Sequence, residues 1–138
     1  MDWNNLGFRY RKTAKILCCR YSNGSWGEIE STTDDNISLS AFAGALHYSI
    51  ECFEGLKAFR GQDGKIRIFR PDENARRLKS SADFIGLPCP SEEMFIEMCT
   101  RIVKETIDFL PPYGLNASLY IRPTLIGSNP QLGVQFAK

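Results

Sequence analysis

The period of apolar and polar positions changes several times along the chain, and each change marks an element. The first twelve residues mix polar and aromatic side chains without a clear period. Thr13 to Tyr21 suits a strand that stops at the turn signal Ser22-Asn23-Gly24, and Trp26 to Glu30 supplies its hairpin partner. A polar stretch, residues 31–36, leads to a short strand around Ile37 to Leu39. Two more strands flank Gly61-Gln62-Asp63-Gly64, with Leu56 and Ala58 before the reversal and Ile66 and Ile68 after it at period two. The period then lengthens. Pro71-Asp72 opens a helix whose apolar positions Ala75, Leu78, Ala82 and Ile85 repeat at helical spacing, and Gly86 and Pro88 stop it. Ser91 caps a second helix, with Glu92 and Glu93 in its first turn and Phe95, Met98, Ile102 and Phe109 as its buried stripe, ended by Pro111-Pro112. Residues 118–126 form a last strand, Leu119 and Ile121 on one face, Tyr120 and Arg122 on the other. Strands, two helices and a strand in that order predict an α+β domain: a mainly antiparallel sheet packed with two helices.

Composition narrows the classes without choosing among them. At 138 residues the chain is one ordinary domain, able to bury roughly two-thirds of its unfolded surface. Seventeen basic against sixteen acidic side chains leave a net charge of +1, so no global field attracts nucleic acid or an anionic membrane, and any anion site must be local. No apolar run approaches the ~20 residues of a spanning helix, and no leader pattern marks the N-terminus. The five cysteines (Cys18, Cys19, Cys52, Cys89, Cys99) are odd in number and lack C-x-x-C spacing, which reads as reduced, buried thiols in a cytoplasmic compartment. His47 is the only histidine, so a histidine-based zinc site is not expected.

Three groups of residues could carry chemistry. Arg77, in the run Asn74-Ala75-Arg76-Arg77, lies in the second turn of a helix whose backbone N–H groups favour an anion; a phosphate monoester would gain a bidentate guanidinium contact. The competing reading is a solvated helix face, since Arg70, Arg76, Arg77 and Lys79 crowd together. Tyr120 and Arg122 share a strand face and would line a cavity for a carboxylate or an apolar side chain, or simply face water. Tyr48, Phe53 and Gly55 sit in an aromatic-rich stretch where the glycine permits close approach of a ligand, or merely ends a core strand. Glu51 and Glu54, three apart, make a weak acid–base pair. No Gly-rich phosphate loop and no G-x-S-x-G nucleophile signature is present.

The blocks LHYSIECFEGLKAFRG, IRIFRPDENARRLKSSA and SLYIRPTLIG, with the tail QLGV, resemble the N-terminal small domain of branched-chain amino acid aminotransferases, pyridoxal phosphate enzymes of fold type IV. The opening MDWNNLGFRY and the segment WGEIE are similar as well, so the resemblance covers nearly all of residues 1–138 as a single domain. It implies that Arg77 binds the phosphate of pyridoxal 5'-phosphate. It also implies that Phe8, Tyr48, Phe53, Gly55, Tyr120 and Arg122 form the substrate pocket, with Tyr48, Leu132 and Val134 reaching the site of the neighbouring subunit in a homodimer. The implied reaction moves an amino group from leucine, isoleucine or valine to 2-oxoglutarate, giving glutamate.

One departure limits that inference. The lysine that carries the cofactor and the carboxylate facing its pyridine nitrogen belong to the family's C-terminal domain, and Lys57, Lys79 and Lys138 do not match that lysine, so no catalytic residue is assigned and the 138-residue chain alone is expected not to transaminate. Ala14-Lys15 also replaces an acidic residue and an aromatic found in many relatives, which bears on the outer pocket only. Two alternatives accompany this reading. One is another fold type IV enzyme, such as a D-amino acid aminotransferase or an aminodeoxychorismate lyase, against which Tyr120-Ile121-Arg122 and FEGLKAFRG weigh. The other is a non-catalytic dimerisation module that pairs with a full-length subunit.

Overall fold

The computed structural model describes residues 3, 5, 7, 10–13 and 15–133. Its first feature is the hairpin announced by Ser22-Asn23-Gly24: β1 (Ile16–Cys18), β2 (Tyr21–Ser22), β3 (Ser25–Trp26) and β4 (Glu30–Thr32). Asn23 and Gly24 both take left-handed conformations, φ 52° and 81°, the pair that a two-residue turn needs to match the twist of its strands. Tyr21 pairs with Trp26 and Cys18 with Glu30, so residues 27–29 face only residues 19–20 and the ladder carries a bulge. The expected strand at Ile37 to Leu39 does not form. The Thr32 and Asp34 side chains accept from the backbone N–H groups of Asp34 and Asn36, both at 3.0 Å, so the polar stretch curls locally and leaves Ile37 exposed without a partner strand.

A short helix, α1 (Gly44–Tyr48), follows, and its length of five residues hides it from any periodicity argument. Then come β5 (Glu51–Phe53), β6 (Leu56–Arg60) and β7 (Ile66–Ile68), the helices α2 (Pro71–Ile85) and α3 (Glu92–Glu105), a 3-10 turn at Ile107–Phe109, and β8 (Leu119–Ile121) and β9 (Thr124–Ile126). The single strand expected over 118–126 is therefore two. Arg122-Pro123 interrupts it, because proline offers no N–H to the ladder. The register nevertheless runs on unbroken: β5 pairs with β9 (Glu51 with Ile126, Phe53 with Thr124) and β6 with β8 (Leu56 with Ile121, Ala58 with Leu119). These four strands make one long antiparallel ribbon with a joint at Glu54-Gly55, held there by the Glu54 N–H donating to Pro123 O at 2.9 Å. β7 extends it on the other side of β6.

One face of the ribbon meets the helices. Leu56, Ala58 and Ile121 pack with Ala75 and Leu78 of α2, Phe95, Cys99 and Val103 of α3, and Leu110. The α2 reading holds, including Gly86 in the left-handed conformation that closes the helix (φ 71°). On α3 the Ser91 cap accepts from Met94 N–H at 3.2 Å, but the fully buried stripe is Phe95, Cys99, Val103. Met98 and Ile102 flank that stripe, and Phe109 lies past the helix end in the 3-10 turn. Phe95 is buried as expected, and beyond it the fully buried positions fall one residue later than expected, at Cys99 and Val103.

The hairpin is tied to α3 by polar contacts. Glu105 accepts from Ser31 Oγ (2.5 Å) and Arg101 Nε (2.7 Å) and pairs with Lys15 (3.3 Å), while Arg101 Nη1 donates to Ile29 O (3.0 Å). Those bonds, Ser31's foremost, bring the Glu105 carboxyl down to about 2. All five cysteines are free thiols, and burial pushes Cys99 up to about 12 and Cys89 to about 11, so neither is a nucleophile near neutral pH. Among the described residues no helix is long and apolar enough to cross a membrane.

Candidate functional site

Alternation along the ribbon sorts its residues by face. Cys52, Glu54, Leu56 and Ala58 turn toward the helices; Phe53, Lys57 and Phe59 turn outward, and the unbroken register sets Gly55 across from Arg122 and Lys57 across from Tyr120. On that outer face the Arg122 guanidinium carbon lies 4.2 Å from the centroid of the Phe53 ring and 5.1 Å from that of Tyr120. Arg122 Nε and Nη2 also donate to the Tyr120 hydroxyl, at 3.2 and 2.9 Å. A cation is thus held over two aromatic faces with its remaining donors toward solvent. Gly55 makes this arrangement possible: a Cβ there would lie 2.2 Å from the Tyr120 hydroxyl oxygen and 3.0 Å from Cζ. The glycine serves close approach, and its first neighbour is a side chain of this same chain.

Behind Gly55, on the inner face, Glu54 is only 8% exposed and accepts from two residues of α2. Arg77 donates Nε to Oε1 (2.9 Å) and Nη2 to Oε2 (2.7 Å), and Asn74 Nδ2 donates to Oε2 (2.7 Å). The bonds from Arg77 first, with Asn74 helping against the cost of burial, hold the Glu54 carboxyl below its usual range, and Glu54 in turn raises Arg77. The Arg77 side chain itself is 64% exposed. Glu54 takes the Nε–Nη2 edge, so Nη1 and the outer hydrogen of Nη2 face away from the pair and can receive an anion end-on.

The structure corrects one part of the sequence argument for an anion here. Pro71 offers no N–H, and the acidic Asp72 and Glu73 of the first turn bond Arg70 (3.0 and 2.5 Å), so the positive end of α2 is already compensated. Arg77 stands six residues further on, about 9 Å along the axis. A phosphate would be held by the guanidinium and not by the helix end.

Four predicted residues are therefore brought together (Phe53, Gly55, Tyr120, Arg122), and Arg77 joins them through Glu54. Tyr48 and Leu132 stand on other segments, Tyr48 at the end of α1 and Leu132 beyond β9. Tyr48 ends α1, its ring 6.2 Å from that of His47. Leu132, 83% exposed, follows a segment pinned to the start of α1 by Gly44 N–H to Asn129 O (3.2 Å) and Gln131 N–H to Phe42 O (2.9 Å). Phe8 and Val134 lie outside the described residues. Two shallow clefts, one along the hairpin (Ile16, Cys18, Arg20, Glu28, Glu30) and one beside α2 (Ser80, Ser81, Phe84), share no residue with the Arg122 cluster. Sequence reasoning weighed Glu54 only as a weak acid–base partner of Glu51 and missed its bonds to Asn74 and Arg77. The signal was there: a carboxylate at a position whose neighbours at period two, Cys52 and Leu56, are apolar, and an Asn and Arg three apart on one helix face.

No family model matches the chain. It is 44% identical over 137 residues to the branched-chain-amino-acid aminotransferase of Haemophilus influenzae, covering 99% of this chain and 40% of that protein. It is 45% identical over 135 residues to the enzyme of the same name from Helicobacter pylori, covering 98% of this chain and 40% of that protein. The chain thus spans about two-fifths of the length of these curated relatives. Its fold superposes on a crystal structure of a branched-chain amino acid aminotransferase complexed with N-(5'-phosphopyridoxyl)-L-glutamate with a TM-score of 0.64 and 26% identity, covering 89% of this chain and 36% of that one.

Proposed function

The chain is homologous along nearly its whole length to the N-terminal portion of branched-chain aminotransferases of fold type IV, and from that premise we propose that it forms the substrate face and phosphate contact of a branched-chain transaminase. The reaction assigned to it moves an amino group from leucine, isoleucine or valine to 2-oxoglutarate, with pyridoxal 5'-phosphate as cofactor. The observation that carries this reading is the outer-face cluster. The Phe53 and Tyr120 rings offer apolar walls to a branched side chain, and Arg122, held over both, offers donors to the distal carboxylate of glutamate. A single site can then accept an aliphatic and an acidic substrate in turn.

The donors fit a phosphate monoester, and Arg77 is the residue that would hold it. Pyridoxal 5'-phosphate, when bound, supplies the electron sink. The residues of this chain bind and orient: Arg77 fixes the phosphate, Gly55 keeps the space that Tyr120 needs, and Tyr120 and Arg122 select the substrate. No lysine of the cluster is assigned to move the proton, so the polypeptide alone is proposed to be inactive, and leucine-dependent glutamate formation by it would overturn that part. Tyr48, at the end of α1, and Leu132, exposed beyond β9, are proposed to serve the neighbouring subunit of a homodimer in a cytoplasmic setting.

Calorimetric titration with N-(5'-phosphopyridoxyl)-L-glutamate tests the reading. Arg77→Gln and Arg122→Ala should each weaken binding by about tenfold or more, since each removes a charge-assisted contact. Affinity unchanged in both would reject it. A second reading, a non-catalytic pairing module, is favoured by the exposure of large apolar side chains, Phe84 at 90% and Leu132 at 83%. It requires co-purification with a full-length subunit whose activity falls, and absence of association rejects it.

A further inference from the structure

We propose that Glu54 is a positioning residue: it fixes the Arg77 guanidinium so that the edge left over is presented to a phosphate-class anion, and it locks that anion site to the Tyr120–Arg122 face across the joint of the ribbon. The proposal rests on the reading of Arg77 as the phosphate contact and adds to it a residue that touches no ligand.

Glu54 is the one acidic side chain that is buried among the described residues, and its carboxylate accepts from Arg77, Asn74 and the Gly55 N–H. It joins three segments that are far apart in sequence. Its carboxylate binds α2 through Arg77 and Asn74. Its own N–H donates to Pro123 O at 2.9 Å, at the corner between the strand bearing Tyr120 and β9. It directly precedes Gly55, whose lack of a side chain admits the Tyr120 hydroxyl, and Asn74 also reaches Gly55 O at 3.3 Å. A displacement of Glu54 therefore moves Arg77 and the Gly55 backbone together.

The geometry of the pair decides what Glu54 does to Arg77. An exposed arginine samples many rotamers, and binding an anion would have to freeze them. Here the side-on fork, with contacts at 2.9 and 2.7 Å to a carboxylate that is itself buried and bonded by Asn74, fixes the guanidinium plane before any ligand arrives. The same carboxylate is a negative charge beside the anion site, which opposes anion binding. Pre-organisation and repulsion thus act in opposite directions, and removing the charge separates them. If Glu54 were only a neighbouring charge, neutralising it would tighten phosphate binding. If it positions Arg77, neutralising it loosens binding.

The experiment titrates inorganic phosphate and pyridoxal 5'-phosphate into the 138-residue chain and into its Glu54→Gln, Glu54→Asp and Arg77→Gln variants, and follows the Arg77 Nε–H signal by NMR. Glu54→Gln is expected to weaken both ligands by about tenfold and to broaden or shift the Arg77 Nε–H signal, whose exchange with water quickens once the fork is lost. Glu54→Asp keeps the charge and shortens the reach, so weakened binding there has no electrostatic explanation; it also keeps the question answerable if Glu54→Gln fails to fold. Equal or tighter binding in Glu54→Gln, or an Arg77 Nε–H signal that neither substitution alters, would overturn the proposal. Arg77→Gln separates the two levels. Phosphate affinity unchanged in that variant rejects Arg77 as the anion contact and with it the reading underneath, whereas loss there with no effect at Glu54 rejects only the positioning role.

Discussion

The two faces of the β5–β6 and β8–β9 ribbon are made by alternate residues of the same strands, yet they obey different rules. The inner face (Leu56, Ala58, Ile121) is buried, is contacted by both long helices and tolerates one polar intruder, Glu54, because every bond that carboxylate needs is supplied. The outer face (Phe53, Gly55, Tyr120, Arg122) leaves two aromatic rings and a guanidinium in contact with solvent, organised by cation–π and hydroxyl contacts and not by burial. Packing and the Arg77–Glu54 pair lie on the inner side, and the proposed recognition of the substrate lies on the outer one. The joint at Glu54-Gly55 is where the two communicate.

Substitutions can break that division or sharpen it. Leu78 is 1% exposed beneath the inner face, so Leu78→Ala should cost about 3 kcal/mol in urea denaturation, through lost transfer energy and the cavity left behind. Gly55→Ala comes next: the added methyl displaces the Tyr120 hydroxyl and should cost about 1–2 kcal/mol, and a second change, Tyr120→Phe, should recover part of the loss. A loss that Tyr120→Phe leaves untouched would place the collision elsewhere.

Acid probes Glu54. Its folded value lies below the usual 4.5, so the unfolded chain takes up the proton first; its stabilisation is complete above about 4.5 and disappears as the pH falls through the lower folded value. Thermal midpoints measured as the pH is lowered should fall less steeply in Glu54→Gln than in the parent. Phe53→Ala, on the outer face, should change stability by less than about 1 kcal/mol while weakening ligand binding, which is the reverse of Leu78→Ala. The smallest effect belongs to the exposed Lys79–Asp83 pair on α2, where Lys79→Ala should leave the melting temperature within error.

What could be read from sequence was what local chemistry settles. Asn23-Gly24, Pro71-Asp72, Ser91 and Gly86 each act within a turn or a helix end, and each marks its element correctly. Ile37 to Leu39 failed as a strand because pairing needs a partner, and the Thr32 and Asp34 side chains had already claimed the neighbouring backbone. The division of residues 118–126 into two strands was hinted at by Pro123, but the register that continues across the break is a long-range fact. At the site, alternation placed Tyr120 and Arg122 on one face, whereas Glu54 was weighed only against its near neighbour Glu51, because its actual partners, Asn74 and Arg77, lie about twenty residues away. The helix-end argument for Arg77 failed on charges that a sequence displays plainly, Asp72 and Glu73, once their bonds to Arg70 are seen.

Chemical-shift mapping of the isotopically labelled chain during titration with N-(5'-phosphopyridoxyl)-L-glutamate bears on the division of the ribbon most directly. Perturbations should gather at Phe53, Gly55, Tyr120, Arg122 and Arg77, with Phe95 and Cys99 beneath the inner face and the hairpin residues Cys18 and Glu28 left unmoved. Shifts concentrated in the hairpin cleft, or spread evenly over both faces, would mean that the outer face does not recognise the ligand and that its aromatic–arginine cluster has another purpose.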